Sequence, residues 1–280
     1  MSSDVTRFAP SPTGYLHLGH AYSALFSAQK GQHFILRIED IDQGRCRPDY
    51  IEAIYEDLSW LGLIWETPVR LQSQHLQDYE KALLKLEEHG LLYPCFCTRK
   101  DIQHEIRQSG HAPHGPDGFH YPGTCRTLSK TQQDDLKAQG KAFALRLNMQ
   151  EAIKQAGSLT WFDRNKGQQI ATPEIFGDIV LARKDTPTSY HLAVTLDDHI
   201  QGITLVTRGE DLYHASHIHR LLQALLDLHV PDYHHHALLV GKDGKRFAKR
   251  DKSLTLRELR EKGWRVDDVF KQIEKLTPQP

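Results

Sequence analysis

The chain has 280 residues, 39% of them hydrophobic and 25% charged, with a formal net charge of -1, which suits a globular protein with one large core and an insertion, or two domains. No apolar run is long enough to span a membrane and residues 1–11 lack the apolar centre of a signal peptide, so a cytoplasmic location is expected. The near-zero charge excludes recognition of nucleic acid through a global basic field, so any RNA contact must be local.

In chain order, the first feature is Arg7-Phe8-Ala9-Pro10-Ser11-Pro12-Thr13-Gly14-Tyr15-Leu16-His17-Leu18-Gly19-His20. A His-x-Gly-His turn opening a helix points free N–H groups and the positive dipole end forward, and Gly14 and Gly19 allow close backbone approach, which together suit phosphate. The run 33–40, with Phe34-Ile35-Leu36-Arg37-Ile38 at its centre, predicts a buried parallel strand ending in acidic residues, where ligands of open α/β sheets bind. From Pro48, the residues Ile51, Ile54, Tyr55, Leu58 and Leu61 recur at helical spacing up to Gly62, and Leu76, Tyr79, Leu83 and Leu86 do so up to Gly90.

Between Cys95 and Gln169 the texture changes. A capping signal at Thr98 and Asp101 precedes a stretch rich in glycine, proline and histidine from Gly110 to Gly123, which reads as an insertion. Regular structure is expected again over 175–183, 190–197 and 203–208, followed by an amphipathic helix carrying Ile218, Leu221, Leu222, Leu225 and Leu228. Residues 237–240 read as a last strand leading into a basic loop of Lys242, Lys245, Arg246, Lys249, Arg250 and Lys252 beside Gly241 and Gly244, a local phosphate-binding candidate. Residues 253–270 read as helical. Alternation of strands and helices on both sides of an insertion predicts an α/β fold with a doubly wound parallel sheet.

Arg7, Glu39 and Arg208 supply fixed charges of both signs, as a small substrate with carboxylate and ammonium groups requires; the ordinary alternative for each is a surface ion pair. Of the four cysteines, Cys95 and Cys97 stand two apart and Cys125 returns a third thiol after His120 and Tyr121. Three thiolates and one N or O ligand complete a tetrahedral zinc site, and on chemistry alone His120 is favoured as the fourth, unligated buried cysteines being the alternative. Cys46 lies outside this pattern, and no disulfide framework is expected.

The segments RFAPSPTG, RIEDID, YHLAVTLDDHIQGITLVTRGEDL and the basic loop, in that order, resemble the glutamyl form of the class I aminoacyl-tRNA synthetases. His-x-Gly-His matches the first signature of that family and Arg246 to Arg250 the second, usually written KMSKS. Arg246, Phe247 and Ala248 depart from it, and Lys249 is retained. The resemblance implies a Rossmann-type class I catalytic core in which Arg7, Ala9, Ser11, Glu39, Tyr190 and Arg208 surround L-glutamate. It further implies that His17, Gly19, His20, Arg246 and Lys249 hold ATP accompanied by Mg²⁺, with His17, His20 and Lys249 acting in catalysis by positioning and charge stabilisation. Which arginine takes which carboxylate stays open.

The pattern CxC followed by YxxxC is similar to the zinc site of bacterial glutamyl-queuosine tRNA(Asp) synthetases, a paralogous family in which tyrosine is the fourth ligand. That resemblance selects one structural zinc on Cys95, Cys97, Tyr121 and Cys125. It also implies a cytoplasmic monomer that makes glutamyl-adenylate without tRNA and transfers glutamate to the queuosine base in the anticodon loop of tRNA(Asp). Only 30 residues follow Arg250, so a catalytic core without an anticodon-binding domain is expected. The expected divisions are 1–94, first half of the catalytic domain; 95–187, the insertion; 188–240, second half; and 241–280, the basic loop and a short helical end. Rival readings are a minimal glutamyl-tRNA synthetase charging the 3′ end of tRNA(Glu), a small nucleotidylyltransferase and a non-catalytic tRNA-binding module.

Overall fold

A computed structural model of the chain describes residues 3–109, 114–116, 118–240 and 254–278. The basic loop, with Arg246 and Lys249, lies outside the described residues. The chain starts with β1 (Val5–Phe8), α1 (Leu18–Lys30) and β2 (His33–Ile38), the two strands pairing in parallel. Next come α2 (Pro48–Trp60), β3 (Glu66–Leu71), parallel to β2, and α3 (Leu76–Glu88). Pro48 starts α2 because its missing N–H has no helical partner there to lose. Phe8, Leu18, Ala21, Leu36, Ile38, Ile54 and Leu58 then form one apolar core.

The next stretch holds β4 (Leu92–Cys95), α4 (Arg99–Ser109), the short pair β5 (His114–Gly115) and β6 (Gly118–Phe119), α5 (Lys130–Ala138) and β7 (Ala144–Leu147). Thr98 and Asp101 cap α4 reciprocally, side chain to backbone, at 2.7 and 3.2 Å, as their spacing predicts. After α6 (Met149–Ala156) come β8 (Thr160–Asp163), β9 (Gly167–Ile170) and β10 (Val180–Ala182). β7 is the middle strand of an antiparallel sheet between β4 and β10.

The main sheet is completed by α7 (Tyr190–Ile200), β11 (Leu205–Gly209), α8 (Ala215–Leu226) and β12 (Asp232–His236). β11 pairs in parallel with β12 and β12 with β8, so the chain already returns to this sheet at residue 160. β1 lies against β11, with the Thr204 N–H donating to the Val5 carbonyl at 3.1 Å, which sets the two parallel halves side by side. The expected α/β core with a parallel sheet is thus present.

Two expectations are corrected. The last strand among the described residues is β12, not 237–240: Tyr233, His235 and His236 are buried while His234 is half-buried. A histidine run looks polar in sequence yet is tolerated in this sheet, where the ring nitrogens of His235 and His236 find partners. The C-terminal stretch is two helices, α9 (Leu256–Glu261) and α10 (Val266–Leu276). They part at Gly263, whose φ of +81° a helix cannot accommodate. No helix among the described residues is long and apolar enough to cross a membrane.

Candidate active site

At the carboxyl ends of β1, β2 and β11 the sheet opens into a cavity of about 290 Å³. β1 delivers Arg7 and leads to Ala9 and Ser11, β2 leads to Glu39, β11 carries Arg208, and Tyr190 opens α7. All six residues singled out for glutamate line this one cavity, together with His20. A second cavity of about 400 Å³ shares Ser11, Glu39 and Tyr190 and adds Asp42, Arg45 and Arg183; Cys46 lies on its wall, apart from the other cysteines.

The two arginines differ in how their charge is met. Arg7 donates from Nε to Asp198 at 2.9 Å and from a terminal nitrogen to the Thr207 carbonyl at 3.0 Å. The same carboxylate takes Arg37 at 2.9 Å, and Arg37 is fully buried. Sequence reasoning passed over Asp198 and Arg37; the only signal was two adjacent acids, Asp197 and Asp198, inside an apolar helix stripe. Arg208, 4% exposed, has no carboxylate partner among the described residues and rests on His235, His219 and Ser216. Its positive charge is therefore the less compensated of the two. Burial pushes the Glu39 carboxyl up to about 7, against the pull of Arg37 and Arg7.

His17 and His20 form the first turn of α1. The Gly19 N–H donates to His17 Nδ1 at 3.1 Å, the His17 N–H donates to His20 Nδ1 at 3.2 Å, and the rings stand 3.8 Å apart. Each ring thus carries its proton on Nε2, a donor of the kind a phosphate oxygen accepts from. A Cβ at Gly19 would stand 3.0 Å from the His17 ring, so glycine here serves first to let that ring fold over the helix end. Just past the undescribed loop, the Leu256 N–H donates to the Leu16 carbonyl at 2.8 Å and Thr255 bridges to His17, which ties α9 to this turn.

Cys95, Cys97 and Cys125 bring their sulfurs within 4.8 Å of one another. The Tyr121 hydroxyl lies 3.4 Å from the Cys97 sulfur and accepts the Cys125 N–H at 2.9 Å, while the Arg146 guanidinium covers its ring at 4.0 Å. His120 is turned elsewhere, its Nε2 meeting the Ile175 carbonyl at 2.6 Å. Three thiols and one phenol oxygen in this arrangement fit a tetrahedral ion of borderline softness.

A parallel sheet with this helix start and a charged cavity at its carboxyl edge marks a class I synthetase core. Residues 4–277 match the family described as tRNA synthetases class I (E and Q), catalytic domain. A glutamyl-Q tRNA(Asp) synthetase of Rhodobacter capsulatus is 45% identical over 279 residues, 96% of this chain and 99% of its own. A glutamate–tRNA ligase of Aquifex aeolicus is 37% identical over 277 residues, 98% of this chain but 57% of its own. Among solved structures, a glutamate tRNA ligase from Elizabethkingia meningosepticum in complex with its amino acid superposes with a TM-score of 0.74 at 28% identity, covering 89% of this chain and 52% of that one. The chain belongs to the class I tRNA synthetase family, in its glutamyl-Q tRNA(Asp) synthetase group.

Proposed function

We propose that this protein activates L-glutamate with ATP, without needing tRNA, and transfers it to the queuosine base in the anticodon loop of tRNA(Asp). The observation that carries this reading is the single cavity walled by Arg7, Arg208 and Glu39, two cations and one anion around a space for a small dicarboxylic amino acid. Arg208, backed by Arg7, takes substrate carboxylate; Glu39 takes the ammonium; Ala9, Ser11 and Tyr190 shape the wall. His17, Gly19 and His20 face the phosphates of ATP accompanied by Mg²⁺, and Arg246 and Lys249 hold the same nucleotide. A glutamate carboxylate oxygen attacks the α-phosphorus and pyrophosphate leaves; an acceptor hydroxyl then attacks the glutamyl carbonyl and AMP leaves. Fixed charges and orientation carry both steps, and no protein nucleophile is used. The second cavity, sharing Ser11, Glu39 and Tyr190 with the first, is the route for the acceptor.

Zinc on Cys95, Cys97, Cys125 and Tyr121 holds the 95–187 insertion in shape. We take the working form to be a cytoplasmic monomer. Supplied with ATP and labelled glutamate, the protein is expected to label tRNA(Asp) containing queuosine, and neither tRNA(Asp) lacking it nor tRNA(Glu). Label on tRNA(Glu) alone would make it a minimal glutamyl-tRNA synthetase, and no label anywhere would end the enzymatic reading. A second expectation comes from Glu39. Its carboxylate must be ionised to hold an ammonium, so kcat/KM for glutamate should fall by about tenfold per unit as pH drops below about 7. Glu39→Gln should be low and flat across that range; a wild-type profile level through pH 6 would remove the assigned role.

A further inference from the structure

Among the described residues, Arg208 is held by neutral groups. Its Nε donates to His235 Nε2 at 3.2 Å, one terminal nitrogen to His219 Nδ1 at 3.1 Å and the other to Ser216 Oγ at 2.6 Å. A guanidinium can only donate, so both histidine nitrogens that face it must present lone pairs. On its far side, His235 Nδ1 meets the Asp163 carboxylate at 2.6 Å and must carry the proton. The other Asp163 oxygen accepts the N–H groups of Asn165 and Lys166 at 2.8 and 3.0 Å, which fixes a fully buried carboxylate in place. His219 passes its own proton outward from Nε2 to His191 Nδ1 at 3.2 Å. Burial first and the charge of Arg208 second keep both histidines neutral, His235 being pulled down to about 4.

The usual partner of a buried arginine is a carboxylate, and Arg7 and Arg37 both have one in Asp198. Such a partner orients the guanidinium but also cancels its charge. Asp163 sits one imidazole away instead, so it sets the tautomer without touching the cation. We propose that Asp163, His235 and His219 are positioning residues that orient Arg208 through neutral acceptors and thereby leave its whole charge to a substrate carboxylate. The proposal rests on the reading of Arg208 as facing glutamate.

An isosteric pair tests it. His219→Asn keeps a neutral oxygen where Nδ1 stands, and His219→Asp puts a charged oxygen there. In ATP–pyrophosphate exchange, His219→Asn should keep KM for glutamate within about threefold of wild type, while His219→Asp should raise it about 30-fold or more with KM for ATP unchanged. A merely structural role would move both variants alike. Should His219→Asp fail to fold, Asp163→Asn decides. The two N–H groups of Asn165 and Lys166, at 2.8 and 3.0 Å, outweigh the single longer contact from the His235 N–H at 3.3 Å, so the amide oxygen stays with them and the new amide nitrogen donates to His235 Nδ1. That drives the ring proton to Nε2, against the Nε–H of Arg208. KM for glutamate should then rise about tenfold with kcat little changed. Equal KM values in the two His219 variants, or an unchanged KM in Asp163→Asn, overturn the proposal. Arg208→Gln separates it from the reading beneath it: if that change leaves KM for glutamate intact, both fall, and if it raises KM while the His219 variants agree, only the positioning inference falls.

Discussion

Replacing Arg208 by glutamine is expected to lower kcat/KM for glutamate in ATP–pyrophosphate exchange by roughly 100-fold to 1000-fold, or about 3–4 kcal/mol. The side chain is 4% exposed and lines the cavity, and its described partners are two imidazoles and a hydroxyl. A substrate carboxylate arriving there would meet a desolvated cation that no carboxylate of the described residues compensates, the setting in which a charge-assisted hydrogen bond is strongest. The fold should tolerate the loss, because removing Arg208 strands no buried carboxylate; its partners are neutral. Arg7→Gln would be the less selective change, since Asp198 would then depend on Arg37 alone. Steady-state KM and kcat for glutamate, with a thermal melt on the same sample, check this; a catalytic loss matched by a large drop in melting temperature would turn Arg208 into a structural residue.

Cys97→Ser should take zinc from one equivalent per chain to nearly none by elemental analysis and lower the melting temperature by roughly 10 °C. Around these thiols the buried apolar set is only Tyr93, Cys95, Phe96 and Cys125, flanked by Cys97, Tyr121, Leu128, Leu136 and Phe143. A satellite core of this size, under a stretch of loops and short helices, needs a staple to hold one conformation. Tyr121→Phe is the finer companion: it keeps the ring under Arg146 but deletes the oxygen, and should weaken zinc retention against a chelator without abolishing it. A wild-type protein purified in zinc-containing medium and found free of the metal would sink the assignment.

Local patterns made much of this legible. Phe34 to Ile38 announced a buried strand because four of its five residues are apolar, and Pro48 and Gly62 bracketed α2 by backbone chemistry alone. The six cavity residues could be named from segments that resemble a known family, but why they converge could not, since it depends on strands brought together across the fold. No local rule says that Arg7 will find a carboxylate 191 residues away, or that Arg208 will find none among the described residues. The histidines of β12 were the clearest failure. Hydropathy counts imidazole as polar, whereas here Asp163 and Arg208 consume the ring nitrogens of His235 and let it lie in a sheet as an apolar residue would.

Arg37 lies near the carboxyl end of β2 with no exposure to solvent, and of its counter-charges only Glu39, at 3.5 Å, directly follows that strand, while Asp197 and Asp198 belong to α7. During synthesis the first half of the parallel sheet is therefore made before two of the three carboxylates that meet this cation exist. An early β1–α1–β2–α2–β3 unit would have Glu39 alone to offset a buried guanidinium. The amino-terminal half is thus expected to be a poor candidate for expression as a separate fragment.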